Sequence, residues 1–316
     1  MTDTGFIADA PPSRRSAAQA PLDAWLRALL AVLLAIFALG TWFAWVHTPM
    51  PEVVDKPLFE KQFSDLDRQL TELRGQGEKP ISVVFLGTSR IRNVTLDAAH
   101  VAASARAAGI ARPVASTVIG VNWGGFERFG PALPMIEARR PDVLVVMPEL
   151  LSEDFTPLTR ARMGKSWLQA SLWGKDYTPF ATGETTLKVC LGFDQQPADR
   201  DAEFRSFVVP DQDSRGPAMA RAFLAKLARS GTRVIVTDVP VSAELAAIRP
   251  PVVGGRDLLT QLGLADLPNA AAVVLGSRFP RQVYCDFAHM NPAHDREWQT
   301  AFFAELFRQT KIGFAY

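Results

Sequence analysis

The sequence predicts an α/β fold: a central parallel sheet covered by helices on both faces, preceded by one membrane-spanning helix. Three observations carry this. Short, mostly apolar runs rich in Val, Ile and Leu recur at Ile81–Leu86, Val114–Ile119, Val143–Met147 and Val234–Val239, as expected of strands buried on both faces. Segments with apolar residues at helical spacing lie between them, so strand alternates with helix over about 260 residues, the pattern of a parallel sheet. Ahead of them, Ala28–Val46 is a run of about nineteen uncharged residues, enough at ~1.5 Å per residue to cross a hydrocarbon core as a helix.

Composition fits a folded chain. Of 316 residues, 48% are hydrophobic and 21% charged, too apolar for a disordered protein. The net charge of +1, from 34 Lys+Arg against 33 Asp+Glu, gives no electrostatic reason to expect nucleic acid as a partner. Two cysteines exclude a disulfide-rich scaffold and a four-Cys metal site, and leave room for one bridge.

Residues 1–23, rich in Ala, Pro, Ser and Asp without an apolar period, read as a flexible cytoplasmic tail. Residues 24–46 form the transmembrane helix, with Trp25 at one end and Trp42 and Trp45 at the other, where amphipathic rings favour the membrane interfaces. A cleaved signal peptide is the competing reading. The apolar run exceeds the usual ~7–15 residues, and His47, Thr48, Pro49 and Met50 offer no small-x-small cleavage site, which favours a retained anchor. Arg14, Arg15 and Arg27 precede the span and Lys56 and Lys61 follow it, a small bias toward a cytoplasmic N-terminus and a periplasmic main domain on the inner membrane.

Residues 47–80 are a stalk and first helix: Leu58, Phe59, Phe63, Leu66, Leu70 and Leu73 line one side of a helix over Leu58–Arg74. Residues 81–316 make up the main domain. Its first strand, Ile81–Leu86, ends in Gly87-Thr88-Ser89, and helical patterns follow at Leu96–Ala108, Phe126–Ala138 and Pro217–Ala228. The last helix is expected over Asp295–Arg308, with Trp298, Phe302, Phe303 and Leu306 toward the core. The scattered Gly, Pro and aromatics of 156–210 suggest an insertion beside the core, over a site.

In open α/β sheets ligands bind beyond the carboxyl ends of the strands. Ser89 stands at such an end, where it is either a helix cap or a nucleophile. A serine nucleophile needs an adjacent base, and the base works best when a carboxylate fixes its tautomer. Four histidines are available. His47 lies at the membrane boundary and His100 inside a predicted helix, whereas His289 follows Asp286 by three positions in a loop before the last helix, so one turn supplies base and orienting acid. His294 has no such acid and reads as the start of the helix. Asp286, His289, His294 and Asp295 lack the spacing of a metal site, and none is expected.

With these residues the chain resembles the SGNH/GDSL hydrolase superfamily. Gly87-Thr88-Ser89 is similar to its first block, with Thr88 in place of the usual Asp, and Asp286-Phe287-Ala288-His289 to its last. Gly120-Val121-Asn122-Trp123-Gly124-Gly125 resembles its glycine block, and the likeness runs from about Ile81 to Phe307. It implies a flavodoxin-like three-layer sandwich and a Ser89, His289 and Asp286 triad acting on acyl esters without a cofactor. It also implies an oxyanion site of the Ser89 N–H with Gly124 or its neighbour Gly125. The family's third donor, an Asn after the next strand, is missing, because Val143–Met147 runs into Pro148-Glu149-Leu150. Asn122 or Arg90 could take its place; Glu149 reads as a rim residue or an exposed helix-start acid.

Anchored proteins similar to this one are associated with polysaccharide O-acylation beside a multi-spanning membrane O-acyltransferase. The resemblance therefore implies an acyltransferase for O-acyl, chiefly O-acetyl, groups of an extracytoplasmic polysaccharide. A periplasmic carbohydrate O-acetyl esterase and a non-catalytic polysaccharide-binding protein with a degenerate site are the alternatives. Gly164-Lys165-Ser166 imitates the end of a P-loop, but Thr159 replaces its first glycine. Arg160, Arg162 and Lys165 read as a solvated face or a substrate rim. Cys190 and Cys285 are either one disulfide in an exported domain or two separate thiols.

Overall fold

The protein is described from a computed structural model covering residues 19–47, 56–121, 126–152, 172–173, 215–243, 259–260, 263–275, 279–286 and 289–311. It divides into two compact units, Met1–Thr48 and Pro49–Tyr316.

The described residues of the first unit form the helix α1 (Gln19–His47). It begins inside the segment expected to be tail, since nothing in Gln19–Asp23 opposes a helix: Pro21 falls in its first turn, where a missing N–H costs no hydrogen bond. Within it Asp23–Trp42 is long and apolar enough to cross a membrane, and none of that window is buried.

In the second unit, α2 (Lys56–Gly75) precedes a five-stranded parallel sheet of β1 (Ile81–Gly87), β2 (Val114–Gly120), β3 (Val143–Val146), β4 (Arg233–Thr237) and β5 (Ala270–Val273), in the order β2-β1-β3-β4-β5. This is the flavodoxin-like doubly wound order. β1, β2 and β3 are buried throughout, which accounts for their uninterrupted apolar runs. The winding reverses between β1 and β3, whose register pairs Leu86 with Val146. Doubly wound sheets have their binding crevice at such a reversal.

Helices cover both faces. One layer holds α3 (Ser89–Thr95), α4 (Ala98–Ala107) and α8 (Asp295–Thr310), which pack on one another. In it Phe302 lies against Phe85 of β1 and stacks on Trp298. The other layer holds α2, a 3₁₀ turn at Phe126–Phe129, α5 (Leu133–Arg139), α6 (Glu149–Ser152) and α7 (Arg215–Arg229). Phe59 of α2 stacks on Phe129, and Phe126 meets Phe223 of α7.

α2 is a packed helix: Phe59, Phe63 and Leu66 are buried. Its Gln69 amide donates to the Ser116 carbonyl at 3.1 Å and accepts from the Ser116 N–H at 3.2 Å, satisfying the backbone of edge strand β2.

The helix expected over Leu96–Ala108 is present as α4, capped by Asp97, which accepts the Ala99 and His100 N–H groups; α3 is a separate short helix ahead of it. The one expected over Phe126–Ala138 is broken: Gly130, Pro131 and Pro134 divide it into the 3₁₀ turn and α5. The insertion at 156–210 and the Gly164-Lys165-Ser166 segment lie outside the described residues, apart from the short piece 172–173.

Candidate active site

β1 delivers Gly87-Thr88-Ser89 to the crevice at the winding reversal, and α3 starts at once. Gly87 is dictated by space: a Cβ there would stand 2.2 Å from Ile91 Cγ2 and 2.7 Å from Met147 Sδ. Only glycine lets α3 sit this close to the end of β3. Thr88, where the resembled family carries Asp, caps α3 by accepting the Arg90 N–H at 3.4 Å. Capping thus falls to Thr88, and the Ser89 side chain is released for another partner.

That partner is His289. Ser89 Oγ lies 2.8 Å from His289 Nε2, and His289 Nδ1 lies 2.8 Å from Asp286 Oδ2 and 3.0 Å from Oδ1. Asp286 Oδ1 also accepts the His289 backbone N–H at 2.6 Å. The loop is held from both sides: the Cys285 N–H donates to the His289 carbonyl at 2.8 Å, and Tyr284 pairs with Met290 as an antiparallel bridge. Cys285 is disulfide-bonded; the sequence has one other cysteine, Cys190, outside the described residues. Asp286 is 4% exposed while Ser89 and His289 are partly exposed, so a buried carboxylate backs a hydroxyl that a substrate can reach.

Gln299 of α8, fully buried, donates to the Val94 carbonyl of α3 at 2.5 Å and accepts the Ser104 hydroxyl of α4 at 3.0 Å. It joins the helix that begins with Ser89 to the helix that follows His289.

The other histidines stand apart. His294 Nδ1 faces Glu297 Oε1 at 3.0 Å at the start of α8, as expected of a helix-start residue. His100 lies 3.6 Å from Asp97 and 3.8 Å from Asp295. His47 ends α1 in the other unit. The expected oxyanion residues Asn122, Gly124 and Gly125 fall outside the described residues.

Glu149, expected either at the rim of the site or as an exposed helix-start acid, does start a helix but is not exposed. At 5% exposure it is buried at the start of α6, ion-paired with Arg90, itself 7% exposed. The pair spans the crevice from the end of β1 to the end of β3. Asp238, just after β4, completes a row of charge along this edge. Burial pushes its carboxyl above the usual carboxylate range, opposed by the nearby Arg90 guanidinium. Sequence reasoning missed Asp238, although an acid immediately after a buried strand was the available signal. Burial also lowers Arg92, whose stem lies over Gly120 at the end of β2.

Chemically, a partly exposed hydroxyl beside an imidazole that is oriented by a buried carboxylate is equipped for nucleophilic attack with general-base assistance.

No family model and no curated protein matches the chain. Among solved structures it is similar to an active-site mutant of a family two carbohydrate esterase from Clostridium thermocellum in complex with celluohexase. The likeness is 10% identical with a TM-score of 0.34, covers 74% of this chain, and spans 65% of the esterase chain.

Proposed function

We propose that this chain is a membrane-anchored, SGNH-type serine acyltransferase acting on O-acyl groups, chiefly O-acetyl, of an extracytoplasmic polysaccharide. The observation that carries the reading is the run of contacts from Ser89 Oγ to His289 Nε2 and from His289 Nδ1 to Asp286. Ser89 Oγ attacks the acyl carbonyl as its proton passes to Nε2. The tetrahedral oxyanion is held by the Ser89 N–H and by the glycine segment at Gly124 or Gly125. Collapse breaks the ester bond, Nε2 returns the proton to the leaving oxygen, and the acyl group stays on Ser89. His289 then takes the proton of an acceptor hydroxyl, which attacks the acyl-serine and restores the free hydroxyl. Asp286 keeps Nδ1 protonated, so that Nε2 can accept at each stage.

A sugar hydroxyl as acceptor gives transfer, the outcome implied by the resemblance to anchored acylation proteins working beside a multi-spanning O-acyltransferase. Water as acceptor gives a carbohydrate O-acetyl esterase, a reading favoured by the solvent-facing position of Ser89 and His289. In the proposed topology α1 anchors the chain in the inner membrane with the main domain in the periplasm.

The deciding experiment is labelling by a fluorophosphonate probe. Ser89 is expected to become covalently modified, and His289→Ala to abolish the modification. Modification at another serine, or labelling that survives His289→Ala, refutes the triad. Product analysis with an acetylated donor, with and without a polysaccharide acceptor, separates transfer from hydrolysis. A C-terminal reporter active only in the cytoplasm overturns the topology.

A further inference from the structure

A second feature of the same sheet edge is a cavity of about 570 Å³ lined by Asn93, Leu96, Asp97, His100 and Asp295. That volume lies within the ~300–1,000 Å³ typical of small-ligand sites. β1 and β5 both run toward this edge, so α3, α4 and α8 all begin there, and the cavity lies where the end of α3 meets the starts of the other two.

Asn93 connects it to the nucleophile. Residues four apart share a face of a helix, so Asn93 lies one turn beyond Ser89, about 6 Å along the axis of α3. It is 5% exposed, and what remains accessible lines the cavity; its amide is engaged in no hydrogen bond with the described residues. Around it the walls combine an apolar surface, Leu96 at 42% exposure, with the polar side chains of Asp97, His100 and Asp295. The His100 imidazole stands between the carboxylates of Asp97 and Asp295, 3.6 and 3.8 Å from them. Asp97 is also anchored by the Ala99 N–H at 2.8 Å.

From this we infer a binding subsite for a neutral, hydroxyl-rich sugar residue adjoining the acyl group on Ser89. The inference rests on the serine acyl-transfer reading of the previous section. An amide can donate and accept at once, carboxylates accept from sugar hydroxyls, and a leucine face suits the C–H face of a pyranose. The spacing of one helical turn matches the reach from an ester carbonyl on Ser89 into the ring that carries it. Two carboxylates against one imidazole disfavour anionic sugars, so the subsite selects neutral residues over uronates.

The test compares two esters on the full-length protein: p-nitrophenyl acetate, too small to reach the cavity, and methyl 6-O-acetyl-glucopyranoside, whose ring enters it. Asn93→Leu is expected to raise KM for the sugar ester about tenfold or more and leave kcat/KM for p-nitrophenyl acetate within twofold. Asp97→Asn, which keeps the cap, is expected to raise kcat/KM for a 2-O-acetyl glucuronate relative to the neutral ester. An unchanged KM for the sugar ester in Asn93→Leu overturns the subsite, as does an equal loss on both esters, which marks a structural defect of α3. A wild-type protein that cleaves neither ester and takes no fluorophosphonate label refutes the acyl-transfer reading itself, a result distinct from either of these.

Discussion

Replacing Asp286 by Asn tests the orientation of the base, because the surrounding hydrogen bonds dictate how the new amide must sit. Asp286 Oδ1 accepts the His289 backbone N–H at 2.6 Å, and Oδ2 faces His289 Nδ1 at 2.8 Å. In Asp286→Asn the backbone N–H holds the amide oxygen at the Oδ1 position, and the NH₂ group takes the place of Oδ2. Nδ1 must then accept, the ring proton moves to Nε2, and Nε2 can no longer receive the Ser89 proton. Rotating the amide to restore the active tautomer sets N–H against N–H in a site 4% exposed, at a cost of about 1–3 kcal/mol, or roughly 5- to 150-fold in the competent population. Loss of the carboxylate removes a charge-assisted hydrogen bond to the imidazolium formed during turnover, about 1.5–3 kcal/mol more. Together these predict a fall in kcat of roughly 10²–10⁴ with little change in KM or melting temperature. The assay is steady-state hydrolysis of p-nitrophenyl acetate, paired with thermal denaturation. Asp286→Ala, which imposes no tautomer, is expected to lose less than Asp286→Asn. A kcat for Asp286→Asn within about threefold of wild type at equal stability refutes the reasoning.

Three further outcomes follow from the packing around the crevice. Gly87→Ala forces a methyl into contact at 2.2 Å with Ile91 and 2.7 Å with Met147; overpacking predicts a loss of about 1–3 kcal/mol or more by urea denaturation, and unaltered stability contradicts the close approach. Glu149→Leu removes the carboxylate paired with the buried Arg90, leaving Asp238 as a nearby acid, and is expected to cost up to about 3–5 kcal/mol, whereas Arg90→Met combined with Glu149→Leu recovers most of it; a double variant as unstable as the single one speaks against the pairing. Burial raises the Asp238 carboxyl in the folded state, so its contribution is fully present below the unfolded value of about 4 and is lost as pH rises through the higher folded one. The melting temperature of Asp238→Asn relative to wild type should therefore climb between pH 4 and pH 7, and a difference independent of pH argues against the raised carboxyl.

The strands rich in Val, Ile and Leu were legible because burial on both faces leaves an unbroken apolar run. β5 was not: Ala270–Val273 contains three alanines, weak strand formers, and becomes a strand by pairing with β4. The same division holds at the site. Asp286 and His289 lie within one turn and could be read together, and Ser89 was marked by its position after a strand. The burial of Glu149 was hidden, since its partner Arg90 follows a different strand and only the β1–β3 register brings the two together. The helix break at Gly130 was hidden because an apolar period continues across it.

The hydrogen bond between Ser89 and His289 joins residues 200 positions apart. Closing so large a loop costs conformational entropy that one hydrogen bond does not offset, so the contact depends on the sheet that lies between the two residues in the chain. Ser89 comes from the first strand–helix turn of the main domain and His289 from the loop before its last helix, so no partial fold holds both. Fraying of α8 alone, with the sheet intact, would release the Gln299 tie to α3 and loosen His289 from Ser89. Under the proposed mechanism, competence therefore requires the completed domain, and loss of activity on p-nitrophenyl acetate during denaturation should precede loss of the β-sheet signal.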